Sequence, residues 1–139
     1  MVVHLSRPAV GIESLDHFYE VIEMRTKGGQ LDTTQAYTRN IPKRADELVD
    51  GGSIYWIIKG QYCARQKILK LEKQEDDEGR KFCIITLDAE LIRTVPQPRR
   101  AHQGWRYLNE ADAPDDLPEG DAGDLTPEMA AELKELGLL

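Results

Sequence analysis

The sequence predicts an α+β fold: a small curled antiparallel sheet, or an open β-barrel, flanked by helices. Three observations carry the prediction. Residues 53–88 hold three β-rich runs in succession, separated by turn formers. Ser14 precedes an apolar stripe with helical spacing. Two of the three β-runs are apolar on both faces, whereas a sheet with one wet face alternates apolar with polar.

The elements follow in chain order. Residues 2–10 are rich in β-formers, but Pro8 has no N–H to give a ladder, so they read as a short or edge strand. Ser14 is a good N-cap, and Leu15, Phe18, Tyr19 and Ile22 fall at i, i+3, i+4 and i+7. Lys27-Gly28-Gly29 ends that helix with a cation near its negative pole and glycine free to turn left-handed. Residues 31–38 are threonine-rich and extended in character. Pro42 suits the first position of a short helix ending near Val49, and Asp50-Gly51-Gly52 turns the chain.

Residues 53–59, 62–71 and 81–88 then read as a three-stranded meander. Gly60-Gln61 closes the first hairpin tightly, and Asp76-Asp77-Glu78-Gly79 makes a polar turn in the second. In the first strand Ile54, Trp56 and Ile58 oppose Tyr55 and Ile57; in the third, Phe82 and Ile84 oppose Cys83, Ile85 and Leu87. Burial on both sides requires a strongly curled sheet or small barrel with helices outside, or a dimer covering one face. Alternation lapses near Ile68-Leu69, as a β-bulge makes it do. Pro96 and Pro98 mark an extended loop, and residues 103–108 read as a last strand. Residues 109–123 combine Pro, Gly and acids and form structure poorly. Thr126 caps a final helix with Pro127 in its first position and Met129, Leu133 and Leu136 on one face. The expected organisation is one α+β domain over residues 1–118, then an acidic linker and C-terminal helix over 119–139.

The chain has 139 residues, 40% hydrophobic and 31% charged, which suits one soluble domain. No apolar run approaches the roughly 18–20 residues that cross a bilayer, and the first residues lack the pattern of a signal peptide. Cys63 and Cys83 are too few for a disulfide scaffold and are read as buried reduced thiols of a cytoplasmic protein. The net charge of −7 is unevenly spread. Residues 39–106 carry 14 Lys+Arg against 10 Asp+Glu, and residues 107–139 carry one Lys against ten acids. A basic middle with an acidic tail accompanies nucleic-acid binding in some proteins and is a solvated surface in others.

The residues singled out for function are Arg39, Lys43, Arg44, Arg99, Arg100, Trp105 and Arg106. The guanidinium fork suits phosphate, and aromatic faces stack on bases at about 1–3 kcal/mol each. Trp56, mid-strand among isoleucines, is read as core, whereas Trp105 is open to either role. His102 has no predictable orienting carboxylate, which a general base needs, so a plain surface histidine is the better reading. His4 and His17 lack metal-ligand spacing, and neither glycine pair continues as a phosphate loop. The acids after Asp112 miss the calcium-loop register, so no metal or other cofactor is expected.

Several motifs together resemble a known family. They are Thr38-Arg39-x-x-Pro42-Lys43-Arg44-x-x-Glu47-Leu48, Gly51-Gly52-Ser53-x-Tyr55-Trp56-x-x-Lys59-Gly60, Ala64-Arg65-Gln66, and Gln103-Gly104-Trp105-Arg106-Tyr107-Leu108 with Ala113-Pro114. The family is an uncharacterised alphaproteobacterial one, domain of unknown function 1489, and the resemblance spans residues 3–118. It implies a bacterial cytoplasmic protein and brings no activity with it. The short helix, glycine turn and aromatic strands are also similar to the PUA-like group, including ASCH and EVE domains, many of which bind RNA or modified bases. The resulting expectation is a binding module for RNA, a nucleotide or a modified nucleobase. Two alternatives stand beside it: a homodimerising interaction protein, and a small enzyme acting on a nucleotide-like anion at His102.

Overall fold

The first strand is central rather than peripheral. The structure, a computed structural model, describes residues 2–117; the acidic linker and C-terminal helix expected over 119–139 lie outside the described residues. β1 (Val3–Pro8) lies between two other strands. Pro8 is tolerated because it is the last residue of β1, beyond Ser6, where the antiparallel neighbour stops pairing. Helix α1 (Leu15–Arg25) begins as expected: the Ser14 hydroxyl accepts from the His17 N–H at 3.1 Å. Phe18 and Ile22 are buried, whereas Tyr19 turns outward. β2 (Thr33–Thr38) follows, then helix α2 (Ala45–Val49). Pro42 is not the first residue of α2 but precedes it in the approach and is itself buried.

β3 (Ser53–Ile58) and β4 (Gln61–Glu75) form the expected hairpin. Its two loop residues are Lys59 and Gly60, one position earlier than the Gly60-Gln61 turn read from the sequence, because Gln61 already pairs with Ile58; both have positive φ, the type I′ geometry that matches strand twist. β5 (Lys81–Asp88), β6 (Ile92–Pro98) and β7 (Arg106–Asn109) complete the sheet, and a 3-10 turn (Glu110–Asp112) follows. The order is β2-β5-β4-β3-β1-β7, with β6 also on β4. β2 and β7 end the sheet without meeting, so it is open, not a closed barrel.

Two corrections concern topology. The sheet is mixed, because β1 runs parallel to β3 with Leu5 opposite Ile54 and Arg7 opposite Trp56. Parallel neighbours need a crossover, and α1, β2 and α2 supply it. The loop expected around Pro96 and Pro98 is instead β6, antiparallel to β4 through Gln61–Pro98, Tyr62–Gln97, Ala64–Arg93 and Arg65–Ile92 pairs. Pro96 falls in the gap of that register and needs no ladder bond. β3 and β6 both pair the first part of β4, so they occupy opposite edges of it; β5 pairs the second part. The bulge expected near Ile68-Leu69 is present, with Leu69 skipped between the Leu87 and Thr86 pairs. A second bulge skips Cys63.

β3 is buried at every position, as its two apolar faces require. On one face Ile54, Trp56 and Ile58 join Val3, Leu5, Phe18, Leu48, Ile68, Ile85 and Leu87 in the main core. Gly52 lets α2 sit there: a Cβ at this position would lie 2.4 Å from the carbonyl oxygens of both Leu48 and Val3. Trp56 is core, its indole N–H donating to Gln66 Oε1 at 3.0 Å. Gln66 Nε2 in turn donates to Thr34 Oγ1 and to the Asp88 carbonyl, tying β4 to β2 and to the end of β5.

On the other face Tyr55, Ile57, Tyr62 and Leu108 are covered by Ala113. The cover is not a helix but residues 110–117, expected to be unstructured. This strap runs from β7 to β6, where Thr94 bridges Asp116, Val95 N–H donates to the Asp115 carbonyl and Leu117 N–H to the Arg93 carbonyl. Crossing β1, β3 and β4 spans four strand gaps, about 19 Å. The 3-10 turn at Glu110–Asp112 rises about 2 Å per residue and the rest of the strap about 3.3 Å, so the eight residues are long enough to make the crossing. Arg65 clamps it: Nε and Nη2 donate to the two Asp116 carboxylate oxygens at 2.8 and 2.7 Å. His4 pins its start, accepting from the Ser53 N–H at Nδ1 and donating from Nε2 to Glu110 at 3.0 Å. The strap does not reach β5, so Phe82 and Ile84, expected to be buried, are half-exposed.

Candidate nucleic-acid interface

Edge strand β7 organises the residues that the sequence singled out. Neighbouring residues of a strand point to opposite faces. Tyr107 therefore sits with its partner Leu5 on the main-core side, and Arg106 with its partner Ser6 on the strap side. Trp105, two residues before Tyr107, shares its side and packs half-buried against the main core. The two rings meet edge to face with centroids 4.9 Å apart.

The loop before α2 completes this first group. Trp105 donates its indole N–H to the Asn40 carbonyl at 2.7 Å, and the Tyr107 hydroxyl accepts from the Arg44 N–H at 3.1 Å. The Arg44 guanidinium lies 5.4 Å above the Tyr107 ring and is held by Glu47 one turn along. That contact raises the Arg44 pKa and lowers that of Glu47. Lys43 is exposed beside it. Arg39 is anchored elsewhere, donating to Asp76 at 3.0 Å and lying 5.9 Å from the Phe82 ring centroid. Asp76 is the turn residue of β4–β5; N–H donors from its own turn, Arg80 first, hold its carboxyl below the ordinary range, aided by Arg39.

The second group lies on the strap side. Arg99 and Arg106 both raise the potential at His102; with burial as the larger cause, their charge keeps the imidazole below its ordinary pKa. His102 Nε2 is 3.0 Å from Ser6 Oγ, which is 2.6 Å from the Tyr62 hydroxyl. Among the described residues, His102 Nδ1 and Arg99 Nε are buried without a well-formed hydrogen bond, although the Gln103 and Gly104 peptide groups favour the imidazolium from nearby. Arg100 is exposed.

The structure thus brings Arg44 to Tyr107, next to Trp105, and Arg99 and Arg106 to the neighbourhood of His102, but the two groups flank β7 on opposite faces. The residues singled out from the sequence therefore straddle an edge and do not share one side, because strand alternation separates positions 106 and 107. Tyr107 and Asn40 were missed. The i, i+2 spacing of Trp105 and Tyr107 signals a shared face; nothing local marks Asn40.

The Ser6–His102 contact resembles a nucleophile with its base, but Ser6 is 1% exposed and no substrate reaches it. His4, read only as lacking metal partners, is structural. Cys63 and Cys83 do not approach each other: Cys83 pairs with Lys73, ten positions along β4, or about 33 Å. Burial pushes the Cys63 thiol up to about 11. Among the described residues no three of His, Cys, Asp or Glu group as a metal site, and no helix is long and apolar enough to cross a membrane.

A family model described as "Protein of unknown function (DUF1489)" matches residues 5–139. The chain belongs to this family. The match extends the resemblance read from the sequence, which stopped at residue 118, to the last residue. No curated protein and no solved structure matches the chain.

Proposed function

We propose that this member of the DUF1489 family is a binding module for single-stranded RNA, engaged along the β7 edge. The observation that carries the reading is the stack of Arg44 over Tyr107 beside a half-exposed Trp105, at the open end of the sheet. Bases would stack on the indole and phenol, while Arg44 and Lys43 on one side and Arg99, Arg100 and Arg106 on the other take phosphates. A single strand bends around an edge as a duplex cannot, which suits cations on both faces. The likeness to PUA-like domains read from the sequence points to the same ligand class. Arg39, occupied by Asp76, contributes least.

Fluorescence anisotropy of a labelled oligouridine across a salt series tests the proposal. Single strands give a slope of about −0.7 in log affinity against log salt per phosphate neutralised. Three to five engaged cations therefore predict a slope of roughly −2 to −3.5. Absent binding, or binding indifferent to salt, rejects it.

A homodimer has one supporting feature. On the outer face of β2 and β5, Tyr37 is 55% exposed and its ring lies 6.3 Å from that of Phe82, with Ile84 alongside. Sedimentation equilibrium distinguishes this reading, because Tyr37→Glu would lower the mass of a dimer and leave an RNA-binding monomer unchanged.

A further inference from the structure

A cleft of about 760 Å³ opens between α1, β2 and the end of β1, away from the β7 edge. Its volume is that of a small-molecule site, which runs to about 300–1,000 Å³. The walls are apolar: Phe18, Ile22, Ala36, Trp56 and Leu87 are among them. The charged groups that line it are Arg7 and Arg25, with no Asp or Glu; Thr33, Thr34, Gln35, Tyr37 and Gln66 add neutral polar groups.

Some of those groups are held from inside the fold and others are open to the cleft. Gln66 is fully used, accepting from Trp56 and donating to Thr34 and Asp88, so it is rigid floor. Thr34 Oγ1 accepts from Gln66 and keeps its proton to donate. Arg7 is half-buried, and burial lowers its pKa; no carboxylate or hydrogen-bond partner meets it among the described residues. A desolvated guanidinium without an anion is costly, and a bound oxyanion relieves that cost. Arg25, in the last turn of α1, adds a second cation at the cleft.

We propose that this cleft binds a small amphiphile, its apolar body against Phe18 and Trp56 and its oxyanion head on Arg7 and Arg25. The head is a carboxylate or a phosphate, since the guanidinium fork receives either in two parallel bonds. The site is independent of the RNA reading and shares no residue with it.

Octanoate, octyl phosphate and octanol, titrated by calorimetry against the full chain, test the proposal. One molecule of each anion is expected per chain, with octanol at least about tenfold weaker, the measure of a charge-assisted hydrogen bond. The tighter of the two anions names the head group. Arg7→Gln is expected to reduce both anions to the level of octanol while leaving octanol unchanged, and Ala36→Phe to abolish all three by filling the cleft. Octanol binding as tightly as octanoate, no binding of any probe, or a folded Arg7→Gln protein with unchanged octanoate affinity overturns it. Near-UV circular dichroism reports folding. If Arg7→Gln does not fold, Arg25→Gln decides: weaker octanoate binding supports the site, and unchanged binding rejects it.

Discussion

Removing the Asp116 carboxylate should release the strap that seals the second face of β3. Asp116 receives two hydrogen bonds from Arg65, whose Nη1 also donates to Ser53 Oγ at 2.8 Å. A charge-assisted hydrogen bond contributes about 1.5–3 kcal/mol net. The Asp116 side chain is 43% exposed, however, against 18% for Arg65. Water and salt screen part of the attraction, and Asp116→Ala should cost about 1–2 kcal/mol. Arg65→Ala should cost more, about 2–3 kcal/mol, because it also strips the buried Ser53 hydroxyl of its donor. Urea unfolding at pH 7 measures both, and a double-mutant cycle isolates a coupling of about 1 kcal/mol. The hydrogen bond from Arg65 is the first cause of the lowered Asp116 pKa. The coupling is therefore complete above the ordinary carboxylate pKa of about 3.9 and disappears as pH falls through the lower folded value. Strictly additive single variants, or an Asp116→Ala protein within about 0.3 kcal/mol of wild type, would refute a clamped strap.

Further outcomes follow from the same contacts. Gly52→Ala should destabilise by about 3 kcal/mol, because its Cβ has two carbonyl oxygens at 2.4 Å; a urea midpoint near wild type contradicts this packing. His4 and His102 both have pKa values lowered primarily by burial, so the unfolded chain takes up protons first. Stability should then be highest above about pH 6.5 and fall as pH drops from there through the folded pKa values. Urea midpoints between pH 7.5 and 5 check the trend, with a shallower fall expected for His102→Asn. Deleting residues 118–139 removes six acids and one lysine and should tighten RNA binding at low salt if the tail competes for the arginines; unchanged anisotropy sets tail masking aside.

The features legible in the sequence are those specified by near neighbours. Ser14 with its stripe gives α1, Gly60 gives the hairpin to within one residue of its turn, and the lapse after Ile68 gives the bulge. The two apolar faces of β3 correctly imply a cover on each side. What the pattern does not carry is partnership at long range. Parallel pairing of β1 with β3 depends on the 44 residues of crossover between Pro8 and Ser53, and Pro8 argues locally for an edge. β6 hides behind two prolines that cost nothing at the end and in the gap of its register. The strap has no apolar period at all; its order comes from Arg65, His4 and β6, which lie far away in sequence. The site was half legible for the same reason. Arginines and Trp105 stand out by type, but the meeting of Arg44 with Tyr107 across 63 positions does not. Whether positions 106 and 107 act on one face or two depends on β7 being a strand.

The salt slope of a charge-depleted variant tests the proposed β7-edge site most directly. Arg44→Gln with Arg106→Gln removes one cation from each face of the strand. If RNA straddles that edge, the slope for oligouridine should become shallower by about 1.4, two phosphates' worth, with unfolding by urea little changed. An unchanged slope would contradict the account and move any nucleic-acid contact to another surface.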